Sequence, residues 1–365
     1  MVGPGAVVLP ESELRRTARQ LALPGYGIAQ QEALHRAHVL VIGAGGLGCP
    51  AMQSLASAGV GHITVIDDDT VDITNIHRQI LFGASDVGRV KVEVAAERLR
   101  ELQPGIEVTA LNGRLTVDNA VELVGSVDLV LDGSDSFETK YLVADAAEIT
   151  GTPLVWGTVL RFHGDVCLFT SGPGARGVGL RDLFPEQPRG DSIPDCATAG
   201  VLGATTAVVG GLLATTAIGH LAGLDVVPGR MLSYDAFPGT TRTFQIPADP
   251  ARTLVTTLEP SYGGDMCAVN PAEALLDDVR AGKALLLDIR EPHEKMLNDS
   301  LADLDPVRLP LSEIYSPDTI RRRLGDAERV VVHCASGVRS AEFCAQYAEL
   351  GYEFIDLPGG INGLR

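Results

Sequence analysis

Residues 329–343, RVVVHCASGVRSAEF, place a cysteine where it can react. An apolar run of β character stops at His333-Cys334, small residues follow, and beyond Arg339 the pattern turns helical. The thiolate is the nucleophilic form of cysteine. Amides of a tight loop at a helix N-terminus, helped by a guanidinium, favour that form. Four residues separate Cys334 from Arg339, one fewer than in the cradle of cysteine phosphatases. The shorter loop suits a terminal sulfur better than a phosphoryl group, so Cys334 reads as a persulfide carrier with Arg339 beside it. Cys344, a turn into the following helix, reads as packing.

A second group with chemical potential lies far upstream. Gly43, Gly45 and Gly48, with Gly46 between them, give GAGGLG the Gly-x-Gly-x-x-Gly spacing between a strand and a helix. Such glycines let the backbone approach a phosphate, which then meets outward-pointing amides at the helix N-terminus. Asp67 ends the next apolar run, where an acid holds ribose hydroxyls. Alone, this pattern fits a nicotinamide or flavin enzyme. The stretch that follows, DITNIHRQILF, adds Asn75, Arg78 and Gln79, and Lys91 opens the next helix. So many phosphate ligands suit a triphosphate, whose charge must be offset as pyrophosphate leaves. In LDGSD, Asp132 and Asp135 follow another apolar run, where a carboxylate can hold Mg²⁺. Asp135 reads equally well as a helix N-cap. Cys196, ahead of a Gly-rich helical stretch, is a candidate nucleophile and equally a packing residue.

These groups need a scaffold, and the pattern supplies one. From residue 38 onward β-type and α-type segments alternate: HVLVIG, a helix over 47–58, HITVIDDD, a helix over 90–102, VDLVLDGSD, a helix over 138–149, PLVWG and DVCLFT. Alternation of this kind predicts a parallel sheet with crossover helices. A Gly/Pro-rich stretch over 171–194, a small-residue helix over 197–221 and the strand pair MLSYDAF/TRTFQI complete residues 1–246. Residues 247–270 are proline-rich without periodicity and read as a linker. Residues 271–365 repeat an α/β theme on a smaller scale: a helix over 272–281, ALLLDIR, a long loop, RVVVHC and a helix over 338–350. The fold class is therefore α/β in two domains.

Asp plus Glu number 47 against 29 Lys plus Arg, a net charge of −18. That excess argues against nucleic acid as the main partner. No apolar run of bilayer-spanning length and no export signal stand out, so cytoplasm and reduced thiols are expected.

RTARQ (16–20), GAGGLG, DDDTVDITNIHRQ, VGRVKVE, LDGSDSFETKYLVAD, VWGTVLRFHGDV and DCATAGVLG together resemble the ubiquitin-activating-enzyme-like superfamily, above all its bacterial activators of sulfur-carrier proteins of the molybdopterin-synthase and thiamin type. The resemblance covers residues 13–247. It implies a Rossmann-like, mostly parallel ATP-binding sheet. It also implies roles: Asp67 on the ATP ribose; Asn75, Arg78, Gln79 and Lys91 at the phosphates; Asp135 on Mg²⁺; and Arg19 reaching a homodimer partner's ATP. The chemistry implied is adenylylation of the C-terminal Gly-Gly carboxylate of a small ubiquitin-like carrier, with Cys196 where some relatives bond to the carrier. Both zinc-binding Cys-x-x-Cys pairs of relatives are missing, leaving Cys267 near the second, so zinc is not expected. Ser136 and Lys140 replace the usual Asn and Arg, and Thr17 replaces the usual Tyr.

LLDIREPHE, HCASGVRS and LPGGI resemble the rhodanese family over 271–362. That implies a persulfide on Cys334, loaded by a donor such as thiosulfate or a cysteine desulfurase persulfide. Ala335 stands where many relatives have a basic residue, and the chain ends short of their usual final helix. A docking module without catalysis is the competing reading of this part.

Overall fold

The protein is described by a computed structural model covering residues 9–187, 200–262, 271–296 and 299–364. It forms two compact units, one running to Tyr262 and the other from Gly263 onward.

The first unit is built on an eight-stranded sheet in the order β3-β2-β1-β4-β5-β6-β7-β8. Its strands are β1 (His38–Ile42), β2 (His62–Asp67), β3 (Glu107–Asn112), β4 (Leu129–Asp132), β5 (Leu154–Leu160), β6 (His163–Phe169), β7 (Arg230–Asp235) and β8 (Thr240–Gln245). The pairings from β3 through β5 are parallel, and those from β5 through β8 antiparallel. Buried β1 and β4 are apolar almost throughout, as a sheet covered on both faces demands. β1 runs to β2 on one side and has β4 on the other. Strand order therefore reverses between β1 and β4, the crevice where ligands bind in open α/β sheets.

The Gly203–Leu221 helix is apolar and long enough by composition to cross a membrane. In this fold it packs on β5, β6 and the Gly48–Ala58 helix, burying Val209, Gly210, Leu213, Ala214 and Ala217. Its small residues have a steric reason. A Cβ on Gly210 would lie 2.4 Å from Pro50 Cγ and 2.9 Å from Leu47 O. The part of this helix expected over 197–199, and Cys196 before it, lie outside the described residues.

Part of the stretch expected as linker bonds to the first unit. Arg252 donates to both oxygens of Glu148 at 2.9 and 2.6 Å and to Asp182 at 3.1 and 3.0 Å. The Tyr262 hydroxyl donates to Asp145 at 2.6 Å. Residues 247–262 are thus strapped to the first unit by ion pairs that no local pattern reveals.

The second unit has a parallel sheet in the order β10-β9-β11-β12: β9 (Leu285–Asp288), β10 (Val307–Arg308), β11 (Arg329–His333) and β12 (Glu353–Asp356). Within the expected long loop lie β10 and the helices Pro292–Lys295 and Pro317–Leu324. The final expected helix stops at Gln346 and gives way to a 3₁₀ turn over Ala348–Leu350.

Candidate active sites

The glycine loop lies in the first unit at the C-terminal ends of β1 and β4. Gly43 adopts φ +87°, open to glycine but costly for other residues. A Cβ on Gly48 would sit 1.9 Å from Gly43 O, so the third glycine lets the helix close onto the strand. Gly133 is pressed in as well, its would-be Cβ 3.0 Å from both Ile42 O and Gly48 N. Over Gly45 the space is open, the nearest atom being Gly133 O at 3.9 Å. That is the cradle a phosphate needs, and it opens onto the N-terminus of an 11-residue helix.

Asp67, Arg78 and, through Asp69, Lys91 gather around this loop, whereas the segment carrying Arg19 bonds to Ser57 O and Ala58 O at the far end of the Gly48–Ala58 helix. Asp67 Oδ2 accepts from the Ala44 amide at 2.8 Å and Oδ1 from the Asp69 amide at 2.9 Å. Burial raises its pKa, with Lys91 pulling the other way. Arg78 lies over the loop, its Cγ and Cδ 3.5 Å from a Cβ built on Gly46. Its guanidinium donates to Asn75 Oδ1 at 2.8 Å and to Thr74 O at 3.1 Å. The Gly203 end of the long helix supports the same turn, where a Cβ would meet His77 O at 2.1 Å. Gln79 is buried, its Oε1 without a hydrogen-bond partner. Lys91 is buried too, and its Nζ donates to exposed Asp69 at 2.8 Å. Arg19 stands exposed on the short Ala18–Leu21 helix.

The two acids of LDGSD separate. Asp132, at the end of β4, is fully buried and committed: Lys140 Nζ donates to it at 3.0 Å, and the Ser134 amide and hydroxyl at 2.9 and 2.5 Å. Its oxygens are thus met by protein donors. Asp135 is exposed, and it is not the N-cap of the next helix. Ser136 takes that place, its hydroxyl accepting from the Thr139 amide at 3.1 Å. One exposed carboxylate beside a phosphate cradle fits Mg²⁺, which takes few protein ligands when phosphates supply the rest. Among the described residues no three His, Cys, Asp or Glu side chains converge on a point. Cys267 lies outside the described residues.

Cys49 and Cys167 are buried, and desolvation pushes both thiols up to about 12, which makes them packing residues. Cys344 is pushed up to about 12 for the same reason.

The cysteine loop of the second unit follows β11, a central strand of its sheet. Cys334 is buried, and its Sγ accepts from the Gly337 amide at 3.2 Å. The Ser340 hydroxyl lies 3.3 Å from the same sulfur, a contact that motif spacing does not disclose. Gly337 turns the loop at φ +92°. The LPGGI segment clamps it from behind: Ile361 N donates to Cys334 O and Asn362 N to Ala335 O, each at 3.0 Å. Gly360, at φ +58°, must be glycine, because a Cβ would meet Cys334 O at 2.6 Å. Arg339, half-buried, donates to the two oxygens of Glu294 at 2.9 and 2.5 Å and also interacts with Cys334. Hydrogen bonding to Glu294, more than anything else, raises the guanidinium's pKa.

Below the loop, Arg290 donates to Asp288 at 2.9 and 3.0 Å and to Asp299 at 3.3 Å, while Arg308 pairs with Asp299 at 2.8 Å. This network is what the LLDIR segment builds. His333 is fully buried, its imidazole nitrogens without hydrogen-bond partners, and desolvation lowers it to about 4. It is neutral at physiological pH and does not act as an acid.

A family model described as the ThiF family matches residues 17–254. The chain belongs to the ThiF family. It is 38% identical over 373 residues to a probable adenylyltransferase/sulfurtransferase MoeZ of Mycobacterium tuberculosis, covering 98% of this chain and 94% of that protein. A sulfur carrier protein adenylyltransferase of Thermus thermophilus is 44% identical over 243 residues, 66% of this chain and 90% of the relative. Among solved structures, E. coli MccB with AMPCPP and MccA superposes with a TM-score of 0.59 at 18% identity, over 67% of this chain and 75% of that one. That likeness concerns the fold alone.

Proposed function

We propose that this ThiF-family enzyme activates the C-terminal Gly-Gly carboxylate of a small ubiquitin-like sulfur-carrier protein with ATP and then converts it to a thiocarboxylate. The observation that carries the reading is the presence, in one chain, of a built phosphate cradle and a built cysteine loop. The full-length similarity to an adenylyltransferase/sulfurtransferase supports it. We assign residues 1–246 to adenylylation and 271–365 to sulfur transfer. The packing of residues 247–262 favours a linker confined to the residues after Tyr262.

In the first step a carboxylate oxygen of the carrier attacks the α-phosphorus of ATP and pyrophosphate leaves. The Gly43–Gly48 amides hold the phosphates and Asp67 the ribose. Arg78, positioned by Asn75, and Lys91 offset the charge that develops on pyrophosphate. Lys91 must exchange Asp69 for phosphate oxygens to do so. Bound Mg²⁺, held by Asp135, would neutralise phosphate charge. The product is an acyl-adenylate whose carbonyl is open to attack because AMP is a good leaving group.

In the second step the outer sulfur of a Cys334 persulfide attacks that carbonyl and AMP departs, leaving the carrier joined to Cys334 as an acyl disulfide. A thiolate, from Cys196 or an external thiol, attacks Cys334 Sγ. The thiocarboxylate leaves and a disulfide to Cys334 remains. The Gly337 amide and Ser340 hydroxyl hold the sulfur of Cys334 throughout. The sulfur donor is thiosulfate or a persulfide such as that of a cysteine desulfurase. A homodimer, with Arg19 meeting the partner's ATP, and a cytoplasmic location complete the reading.

ATP–pyrophosphate exchange tests the first step. Exchange that requires a Gly-Gly-ended carrier, and is lost when its last glycine is removed, supports it. Exchange indifferent to any carrier contradicts it. Tight NAD(H) binding without pyrophosphate chemistry would instead favour an oxidoreductase.

A further inference from the structure

The cysteine loop holds a single cation, and that cation is already engaged. Between Cys334 and Arg339 the side chains of Ala335, Ser336, Gly337 and Val338 carry no charge. Arg339 donates from both terminal nitrogens to Glu294 and also interacts with Cys334. Glu294 is fixed in turn, its Oε2 accepting from the Glu291 amide at 2.9 Å. Glu291 is anchored by the Ser312 amide and hydroxyl at 3.0 and 2.7 Å. Burial pulls the Glu294 carboxyl up, but Arg339, the Glu291 amide and His293 together outweigh it and hold the group below the usual range, so it is charged at neutral pH. Among the described residues, Arg290 and Arg308 are bound to Asp288 and Asp299.

With Cys334 as thiolate, Arg339 offsets one negative charge and Glu294 leaves the site net negative. Thiosulfate arrives as a dianion and meets that charge. A persulfide carries at most one charge, and none in its R–S–SH form. We propose that Glu294, by occupying Arg339, makes this loop select persulfide donors over thiosulfate. The Cys334 thiolate then attacks the outer sulfur of R–S–SH. A new S–S bond forms on Cys334, the donor's own S–S bond breaks, R–S⁻ leaves and the proton stays on the transferred sulfur, with no net redox change.

The inference rests on Cys334 being the sulfur-bearing residue, and one experiment separates the two. The full chain is mixed with thiosulfate, with cysteine persulfide or with a persulfidated cysteine desulfurase, and the gain of one sulfur on Cys334 is timed by mass. Persulfide loading faster than thiosulfate loading by about tenfold or more is expected, and the two persulfide arms tell a small-molecule source from a protein one. Glu294→Gln should raise thiosulfate loading about tenfold and leave cysteine persulfide loading within about twofold, with Glu294→Asp resembling the parent. Added salt should speed thiosulfate loading of the unmodified chain, a readout that needs no variant. Equal loading by both donor classes, or a thiosulfate rate indifferent to Glu294→Gln and to salt, overturns the inference and spares Cys334. No sulfur on Cys334 from any donor overturns both.

Discussion

Gly48→Ala puts the nucleotide site to a severe test with one methyl group. The built Cβ lies 1.9 Å from Gly43 O, whereas carbon and oxygen in contact stand more than 3 Å apart, so strand and helix must part by over about 1 Å. The atoms forced apart are the ones proposed to face the phosphates: the Gly43 peptide and the first turn of the Gly48–Ala58 helix. A misplacement of about 1 Å in a positioning element costs on the order of 100-fold in rate or binding. Gly45→Ala is the control, since its Cβ meets nothing nearer than Gly133 O at 3.9 Å. That variant should melt like the parent and lose ATP affinity, because its methyl occupies the open space above the cradle. Calorimetric titration with ATP and Mg²⁺, alongside thermal melting, reads both effects. Gly48→Ala binding ATP within about threefold of the parent at an unchanged melting temperature would refute the packing argument.

Two further perturbations probe groups that the fold buries. Lys140→Met strands the fully buried Asp132, whose other partner is Ser134, and should destabilise the first unit by about 3–5 kcal/mol in urea unfolding; a loss under about 1 kcal/mol contradicts the pairing. His333, lowered to about 4 in the fold against about 6.5 unfolded, is stabilised as the neutral form. Its contribution is complete above pH 6.5 and falls away as pH drops toward 4, by up to about 3 kcal/mol. His333→Leu should flatten this acid slope in unfolding of the full chain, and an unchanged slope would show that the imidazole is not desolvated.

What the sequence makes legible follows from distance along the chain. β1, β4 and β11 are buried runs, readable as strands from composition alone. The glycine loop, the DITNIHRQ turn and the cysteine loop each carry their chemistry within a few residues. Edge strand β3 is harder: its exposed Glu107, Ala110 and Asn112 break the apolar run. β10, only two residues long, hides in a proline-rich stretch. Ion pairs between distant residues leave no local trace. Lys91 with Asp69, Asp132 with Lys140, Arg339 with Glu294, and Arg252 with Glu148 emerge only in three dimensions. That is why the bonds of Arg252 and Tyr262 to the first unit do not show in the linker-like composition of residues 247–262. It is also why Asp132 reads as a possible metal ligand while its oxygens are met by protein donors.

The joining of adenylylation to sulfur transfer is the centre of the account, and the mass of the carrier tests it. A Gly-Gly-ended carrier incubated with the enzyme, ATP, Mg²⁺ and a persulfide donor should exchange one terminal oxygen for sulfur. With Cys334→Ala the carrier should be adenylylated, pyrophosphate released, and no thiocarboxylate formed. Thiocarboxylate made at the parent rate by Cys334→Ala would contradict the account and leave the second unit a docking module.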